Sequence, residues 1–594
     1  MKPISAIRIE FPPKWVWAFS LITTLFYYRY GIYDQIEQLP IIMRAMDSSY
    51  LQNDFFVEAS AGFGPRYYYS QLIANIASFI GLPLSMFLLT LLSQAGIAWV
   101  SWAAGKSLFP EQEYSGLWAA ALCMSVQTVQ IGSDNTVYEL YLIPGMLIAP
   151  LVLGSIWKAW EGNLVLAAIG AGLASLVHVL YGLEVGLLVL GSAFLMNPSS
   201  LALWKKLIPS GLILLAFGSL TLIPYLSLPK SLENGEFVDI IAHFRHPHHY
   251  IPSYILSDWG NILFGVCWLG IGLLAFRSRK RITQGKDSRG VFIRNFFWLI
   301  LLAAFTGWLM VEIFPSRLFT TAQTWRLLNL LKWMAVILLA GQISIFINSW
   351  DTSAYVSTYL SFLTPFTAFA QSFRIQSSRF PSFWLGILGI GGAGVLLLFG
   401  KITLTGIGLS LLYTLWLSLI MRKDWRFWAN GLFLACLLFT AAQLTLLPGQ
   451  LPNSLEKYAS KAFRPSIFQP PYEEEVIEFS NWLREHSPKD AVVLAPPRFG
   501  GVRILGQRAL VADFKAFPFG DEAIKSWYQR CLMVYGKNYE EKDRLSFYQK
   551  LGPEQLSAIH QKYPFDYAII GKNKLLSWEV LLVGKEYDLV KWPE

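Results

Sequence analysis

Stretches of about 20 consecutive apolar residues recur along this chain, and that length constrains its fold more than any other feature. A helix of that length crosses the roughly 30 Å hydrocarbon layer of a bilayer while satisfying its own backbone hydrogen bonds. Of 594 residues, 54% are hydrophobic and only 15% charged, too few polar residues to clothe a water-soluble globule of this size. The expectation is a polytopic helical membrane protein.

The net charge of +9 raises the question of nucleic acid. Its distribution answers it, because the basic residues gather in short loops between apolar runs, where they set orientation. Nucleic acid is therefore not an expected partner; the lipid bilayer is. Lys2, Arg8 and Lys14 precede the first run (Trp15 to about Tyr30) and place the N-terminus in the cytoplasm. No small-residue cleavage site follows that run, so it reads as a retained anchor. Cys123, Cys267 and Cys436 lie in apolar runs and Cys531 in a polar one, which gives neither a disulfide framework nor a CxxC metal pattern.

Taken in order, the chain reads as an all-α polytopic domain over residues 1–447 with about 13 transmembrane helices. Lys106, Lys158, the Lys205-Lys206 pair, Arg277 to Arg294 and Arg422-Lys423 mark cytoplasmic loops. Between them, outward loops fall at about residues 31–82, around Ser133-Asp134-Asn135-Thr136, from Ser227 to Ser257, and from Pro315 to Arg326. Tyr67 to Ile80 is too short to span and reads as a membrane-embedded or interfacial helix, while Ser353 to Phe373, apolar but rich in Ser and Thr, reads as interfacial because that keeps the remaining loops consistent. From residue 448 the composition becomes that of a soluble domain. Apolar runs at Ala491 to Leu494, Ala509 to Asp513, Asp566 to Ile570 and Val580 to Val583 alternate with helical periodicity at Glu473 to Glu485, Glu522 to Val534 and Pro553 to Lys562. That alternation predicts an α/β layer domain over 448–594, outside the membrane by the parity of the spans.

Charge is scarce here, yet the first outward loop holds five carboxylates: Asp34, Glu37, Asp47, Asp54 and Glu58. Gln35 to Met46 has helical apolar spacing, and Asp47 and Asp54 follow it in turn-forming sequence. A carboxylate at the membrane surface can accept a proton from a hydroxyl or ligate a hard divalent cation such as Mg or Mn. The second outward loop adds Asp134 and Glu139, so Asp47, Asp134 and Glu139 are the candidate metal ligands, against the plainer reading of solvated turns and caps. The third contains HFRHPHHY, with His243, Arg245, His246, His248 and His249. These residues suit a phosphate through charge-assisted hydrogen bonds; zinc is the alternative, although Pro247 interrupts ligand spacing. His178, at the end of an apolar hairpin, reads as a packed neutral histidine, and Arg326 as either a headgroup anchor or a phosphate clamp. In the outer domain, RFGGVR (Arg498 to Arg503) lacks phosphate-loop spacing, and Asp513 and Lys515 read as binding or structural residues.

The segments YDQIEQLPIIMRAMDSSYLQNDFF, PRYYYSQLIANIASFIGLP and SDNTVYELYLIP, in this order after a cytoplasmic N-terminus, resemble the first and second outer loops of the GT-C superfamily of integral-membrane glycosyltransferases. The resemblance covers roughly Met1 to Trp160. Asp34-Gln35 stands where the family commonly has an aspartate–glutamate pair, and neither loop contains DxD. The resemblance implies transfer of a sugar from a polyprenyl-phosphate donor to an acceptor hydroxyl on the outer face, with inversion. It implies a first-loop general base (Asp34, then Asp54, with Asp47 a further candidate) and Asp134 orienting the acceptor or a metal. His243, Arg245, His246 and Arg326 would steady the leaving phosphate. It places the chain in a bacterial inner membrane. The alternatives are a lipid-linked substrate transporter, which predicts charge at the membrane midplane, and a non-catalytic envelope scaffold.

Overall fold

The computed structural model describes residues 12–125, 139, 141–257, 288–348, 470–572 and 578–593, with isolated positions between 412 and 436. The Ser353 to Phe373 segment, the later spans, Cys267 and Asp134 lie outside the described residues.

The protein is mostly helical, and its first helix, α1 (Lys14–Tyr27), packs on α5 (Leu82–Leu108) and α6 (Ser115–Ser125). Among the described residues four helices are long and apolar enough to cross a membrane: Leu82–Leu108, Leu201–Leu226, Ser288–Ile313 and Arg317–Gly341. Leu201–Leu226 (α10) keeps Leu212, Leu215, Leu220 and Ile223 exposed, an apolar rim that suits lipid and not water. Leu164–Val177 (α8) and Val179–Phe194 (α9) are shorter apolar helices packed between α7 (Pro144–Trp160) and α10. The bundle core joins Trp118, Trp333, Trp160 and Ile156 from α6, α7 and the Arg317–Gly341 span.

The loop after α1 is structured throughout. α2 (Gln35–Met46) carries the expected apolar face, with Leu39, Ile41 and Ile42 buried. α3 (Phe55–Ala61) starts where the Asp54 carboxylate accepts the Val57 N–H, and α4 (Tyr67–Ile80) ends at Gly81, whose φ of +83° an L side chain seldom adopts. At 14 residues α4 is about 21 Å long, short of a bilayer crossing, as a surface helix requires.

The C-terminal region forms a five-stranded sheet in the order β2-β1-β3-β5-β4. β1 (Val492–Leu494), β2 (Ala509–Leu510) and β3 (Tyr567–Gly571) run parallel, while β5 (Tyr587–Lys591) pairs antiparallel with β3 and with β4 (Val580–Val583). Helices Glu474–His486, Asp521–Tyr535 and Pro553–Lys562 fall where the periodicity predicts them; Glu541–Gln549 and β5 are additional. β2 is shorter than the Ala509 to Asp513 run. Beyond Leu510 the chain leaves the sheet, and this strap (511–519) meets the membrane domain.

Contact between the two parts is extensive. Phe237, Ile241, Phe244 and Tyr250 of the third outward loop share a buried cluster with Phe514, Phe517 and Trp527. Ile41, Tyr50, Phe56 and Val57 of the first loop pack on Ala516. The outward loops and the C-terminal sheet therefore lie on one side of the bundle.

Candidate functional site

Asp34 precedes α2 at its N-cap position without a side-chain capping bond, and its carboxylate lies 2.5 Å from Lys515 Nζ on the strap, with both side chains a little over one-third exposed. The next residue explains how it is held. The buried Gln35 amide accepts the Gly31 N–H at 2.7 Å and donates to the Leu142 carbonyl at 3.1 Å. An ionised glutamate could not do both, because a carboxylate only accepts. Tyr69 donates to the same carbonyl, at 3.2 Å. The end of the second outward loop, Tyr141-Leu142, thus sits beside Asp34. Of the second-loop carboxylates only Glu139 is described; it is half-buried, and its charge reaches Tyr141 and Lys332.

One turn further along α2, Glu37 pairs with Arg66 at 2.6 Å. Arg66 also donates to the Phe517 carbonyl at 3.3 Å and lies over the Phe519 ring. On the opposite side Arg245 donates to the Lys515 carbonyl at 2.7 Å and faces His246 Nδ1 at 3.3 Å. Burial raises the Asp34 carboxyl, but Lys515, Arg245 and Arg66 outweigh it and hold the group below its usual value. Burial wins at Glu37, against Arg66, and raises that carboxyl.

His246, His248 and His249 converge, with their ligand atoms within 4.8 Å of one another. Burial and the charges of Arg245 and Lys515, joined by Arg326 at His248 and His249, push all three below the ordinary imidazole range, His248 to about 3, so they are neutral at neutral pH. Neutral imidazoles bind zinc, yet the surroundings favour an anion. Arg245 can only donate, so His246 Nδ1 accepts and its proton sits on Nε2, where it is a donor and not a ligand. His248 Nδ1 is engaged by the Tyr539 hydroxyl. A hard cation such as Mg or Mn fits no better among the described residues, because Asp34 and Glu37 are already matched to Lys515 and Arg66. Four cations (Arg66, Arg245, Arg326, Lys515) and two carboxylates interact across this one region.

Arg326 donates to Gln323 Oε1 at 2.7 Å, and Gln323 bonds the Tyr250 hydroxyl, which ties Arg326 to the histidine loop. Its charge also reaches His178, Tyr181 and Glu184 on the α8–α9 hairpin. His243 is exposed and stands two residues before Arg245, a spacing that does not share a helical face.

The other first-loop candidates lie elsewhere. Asp47 closes the far end of α2, about 20 Å along the helix axis from Asp34, and accepts the Ser49 N–H and hydroxyl at 2.8 and 2.7 Å. It is exposed in a turn. Asp54 is fully buried and saturated. It bonds Arg503 Nε at 2.7 Å, the Leu510 N–H at 2.9 Å and the Val57 N–H at 3.0 Å, while Arg503 reaches Asp513 at 2.6 Å. That geometry gives Asp54 a structural part, joining the first loop to the outer domain.

Residues 474–534 match a family described as a domain of unknown function, DUF6798; the match contains Arg503, Asp513 and Lys515. By sequence, no curated protein matches the chain. Two solved structures similar to it are GT-C glycosyltransferases. ArnT from Cupriavidus metallidurans in the apo state shares 12% identity over 97% of this chain and 98% of its own, with a TM-score of 0.42. The archaeal oligosaccharyltransferase AglB from Archaeoglobus fulgidus, solved with an inhibitory peptide and a dolichol-phosphate, shares 12% identity over 94% of this chain and 69% of its own, with a TM-score of 0.39. Such remote likeness carries nothing about the site, whose chemistry rests on its own side chains.

The histidine–arginine loop was legible in the sequence as a cluster. Lys515 was not recognisable as the partner of Asp34, nor Arg66 as that of Glu37, because no local pattern links positions so far apart in the chain.

Proposed function

We propose that this protein is a membrane glycosyltransferase that moves a sugar from a polyprenyl-phosphate donor to an acceptor hydroxyl by inverting displacement. One observation carries the reading: a part-exposed carboxylate, Asp34, stands within an excess of fixed positive charge and neutral imidazole donors at the bundle surface. A base for the acceptor and a site for an anionic leaving group are thus side by side.

In this reading the acceptor oxygen attacks the anomeric carbon as the carbon–oxygen bond to phosphate breaks. Asp34 takes the acceptor proton, and the bonding pair leaves on the phosphate oxygen. Arg245, His246 Nε2–H and Arg326 hold that phosphate. No cation is assigned a part. The protein is read as multi-pass in a bacterial inner membrane, with its N-terminus cytoplasmic and residues 448–594 outside. Asp34, Arg66, Arg245, the three histidines and Lys515 stand outside the candidate spans, and this placement supports the transferase reading over a midplane transport route.

The test follows label from polyprenyl-phosphate-linked sugars into water-soluble or envelope acceptors, using the full chain in nanodiscs. Transfer that the Asp34→Asn variant loses is expected. Absence of transfer from every polyprenyl-phosphate sugar tried, or full transfer by Asp34→Asn, overturns the reading.

A further inference from the structure

The strap of the outer domain is anchored at its backbone and free at its tip. The Lys515 N–H donates to Asp513 Oδ1 at 2.9 Å and its carbonyl accepts from Arg245 at 2.7 Å, so the main chain is held from both sides. Among the described residues its side chain pairs with Asp34, and it is 39% exposed. A lysine head on a four-carbon stem carries three donors and pivots readily, unlike the flat guanidinium of Arg245 packed over Phe514.

Transfer from a polyprenyl phosphate also moves charge. A sugar-bearing phosphate is a diester with one negative charge, and the released phosphate is a monoester carrying up to two. Over the same step the base takes a proton and becomes neutral. Negative charge therefore disappears at Asp34 and appears at the phosphate. A cation fixed on Asp34 would oppose that movement, and one able to change partner would follow it.

Resting on the reading above, we infer that Lys515 is a phosphate-binding residue supplied by the outer domain, which pairs with Asp34 before transfer and with the leaving phosphate after it. The outer domain is then part of the reaction centre. The strap sets which phosphate it accepts: a terminal phosphate at the bilayer surface, within reach of both Asp34 and Arg245.

The experiment measures binding of undecaprenyl phosphate to the full chain in nanodiscs, with phosphatidic acid as the generic anionic lipid. Lys515→Met is expected to weaken binding about tenfold, the effect of losing one charge-assisted contact. Asp34→Asn, which mimics the protonated base, is expected to tighten it about tenfold, and to do so only while Lys515 is present. The double variant should bind no better than Lys515→Met. Equal tightening by Asp34→Asn with and without Lys515 overturns the inference, since Asp34 would then act by repulsion alone. Unchanged binding in Lys515→Met overturns it too, as does equal dependence on Lys515 for phosphatidic acid. A wild-type chain that does not bind undecaprenyl phosphate overturns the glycosyltransferase reading itself. Lys515→Gln carries the same comparison if the methionine variant has a lowered thermal midpoint.

Discussion

Two clusters of carboxylate and cation join the first outward loop to the outer domain, and they differ in nearly every physical respect. At Asp54–Arg503–Asp513 all three residues are buried, and the Asp54 oxygens are engaged by the guanidinium and two backbone N–H groups. At Asp34–Lys515 the pair is over one-third exposed and stands among surplus cations and three neutral imidazoles. The first arrangement has no capacity left for a ligand and binds two parts of the chain together. The second has unspent charge and reachable donors. Acidic residues of the same type, 20 positions apart in one loop, differ in saturation and access, and only Asp34 is left open to a ligand.

The comparison can be broken at either end. Asp34→Asn should reduce transfer by about 10²- to 10⁴-fold with an almost unchanged thermal midpoint, the range expected for loss of a general base. A collapse in stability instead would make the two clusters alike. Arg503→Met strands two buried carboxylates and should cost roughly 3–5 kcal/mol, read as a large drop in the thermal midpoint or loss of folded chain. Retained stability would show that the buried cluster is not the fastening described here. Arg245→Lys removes the fork that serves both the Lys515 carbonyl and His246, and should raise the donor KM about tenfold with little change in midpoint.

A third contact between membrane loops and outer domain sharpens the comparison through pH. Burial raises the Asp521 carboxyl, but Arg317 and the Leu232 and Ser231 N–H groups outweigh it and hold it below the usual value. A depressed folded-state pKa contributes stability above the unfolded value of about 3.9 and loses it as pH falls through the folded value. The midpoint difference between wild type and Asp521→Asn should therefore be full at pH 7 and shrink below about pH 4. The smallest effect belongs to Arg498–Glu541, half exposed at 2.5 Å, where Glu541→Gln should change stability by about 1 kcal/mol or less.

Periodicity placed α2, α4 and the domain's main strands and helices because apolar spacing is written locally. It also marked the first loop and HFRHPHHY as the places where polar chemistry gathers. Asp54 shows the limit. As a candidate base it stood second to Asp34, and its burial against Arg503, far along the chain, gives it a different part. β5 was missed because Tyr587–Lys591 (YDLVK) holds Asp588 and Lys591 and so forms no apolar run; its strand state comes from pairing with β3 and β4.

By itself the sequence determined that this is a helical membrane protein with an acidic loop after its first helix and an α/β region after the apolar runs, since hydrophobic length and period are properties of consecutive residues. Which carboxylate keeps an open face, which lysine meets it, and that the outer domain forms a wall of the site were decided by tertiary structure alone. Those outcomes depend on packing residues such as Phe517 and Ala516 against loops hundreds of positions away. Only that packing sets which charges are buried, which are matched, and which remain available.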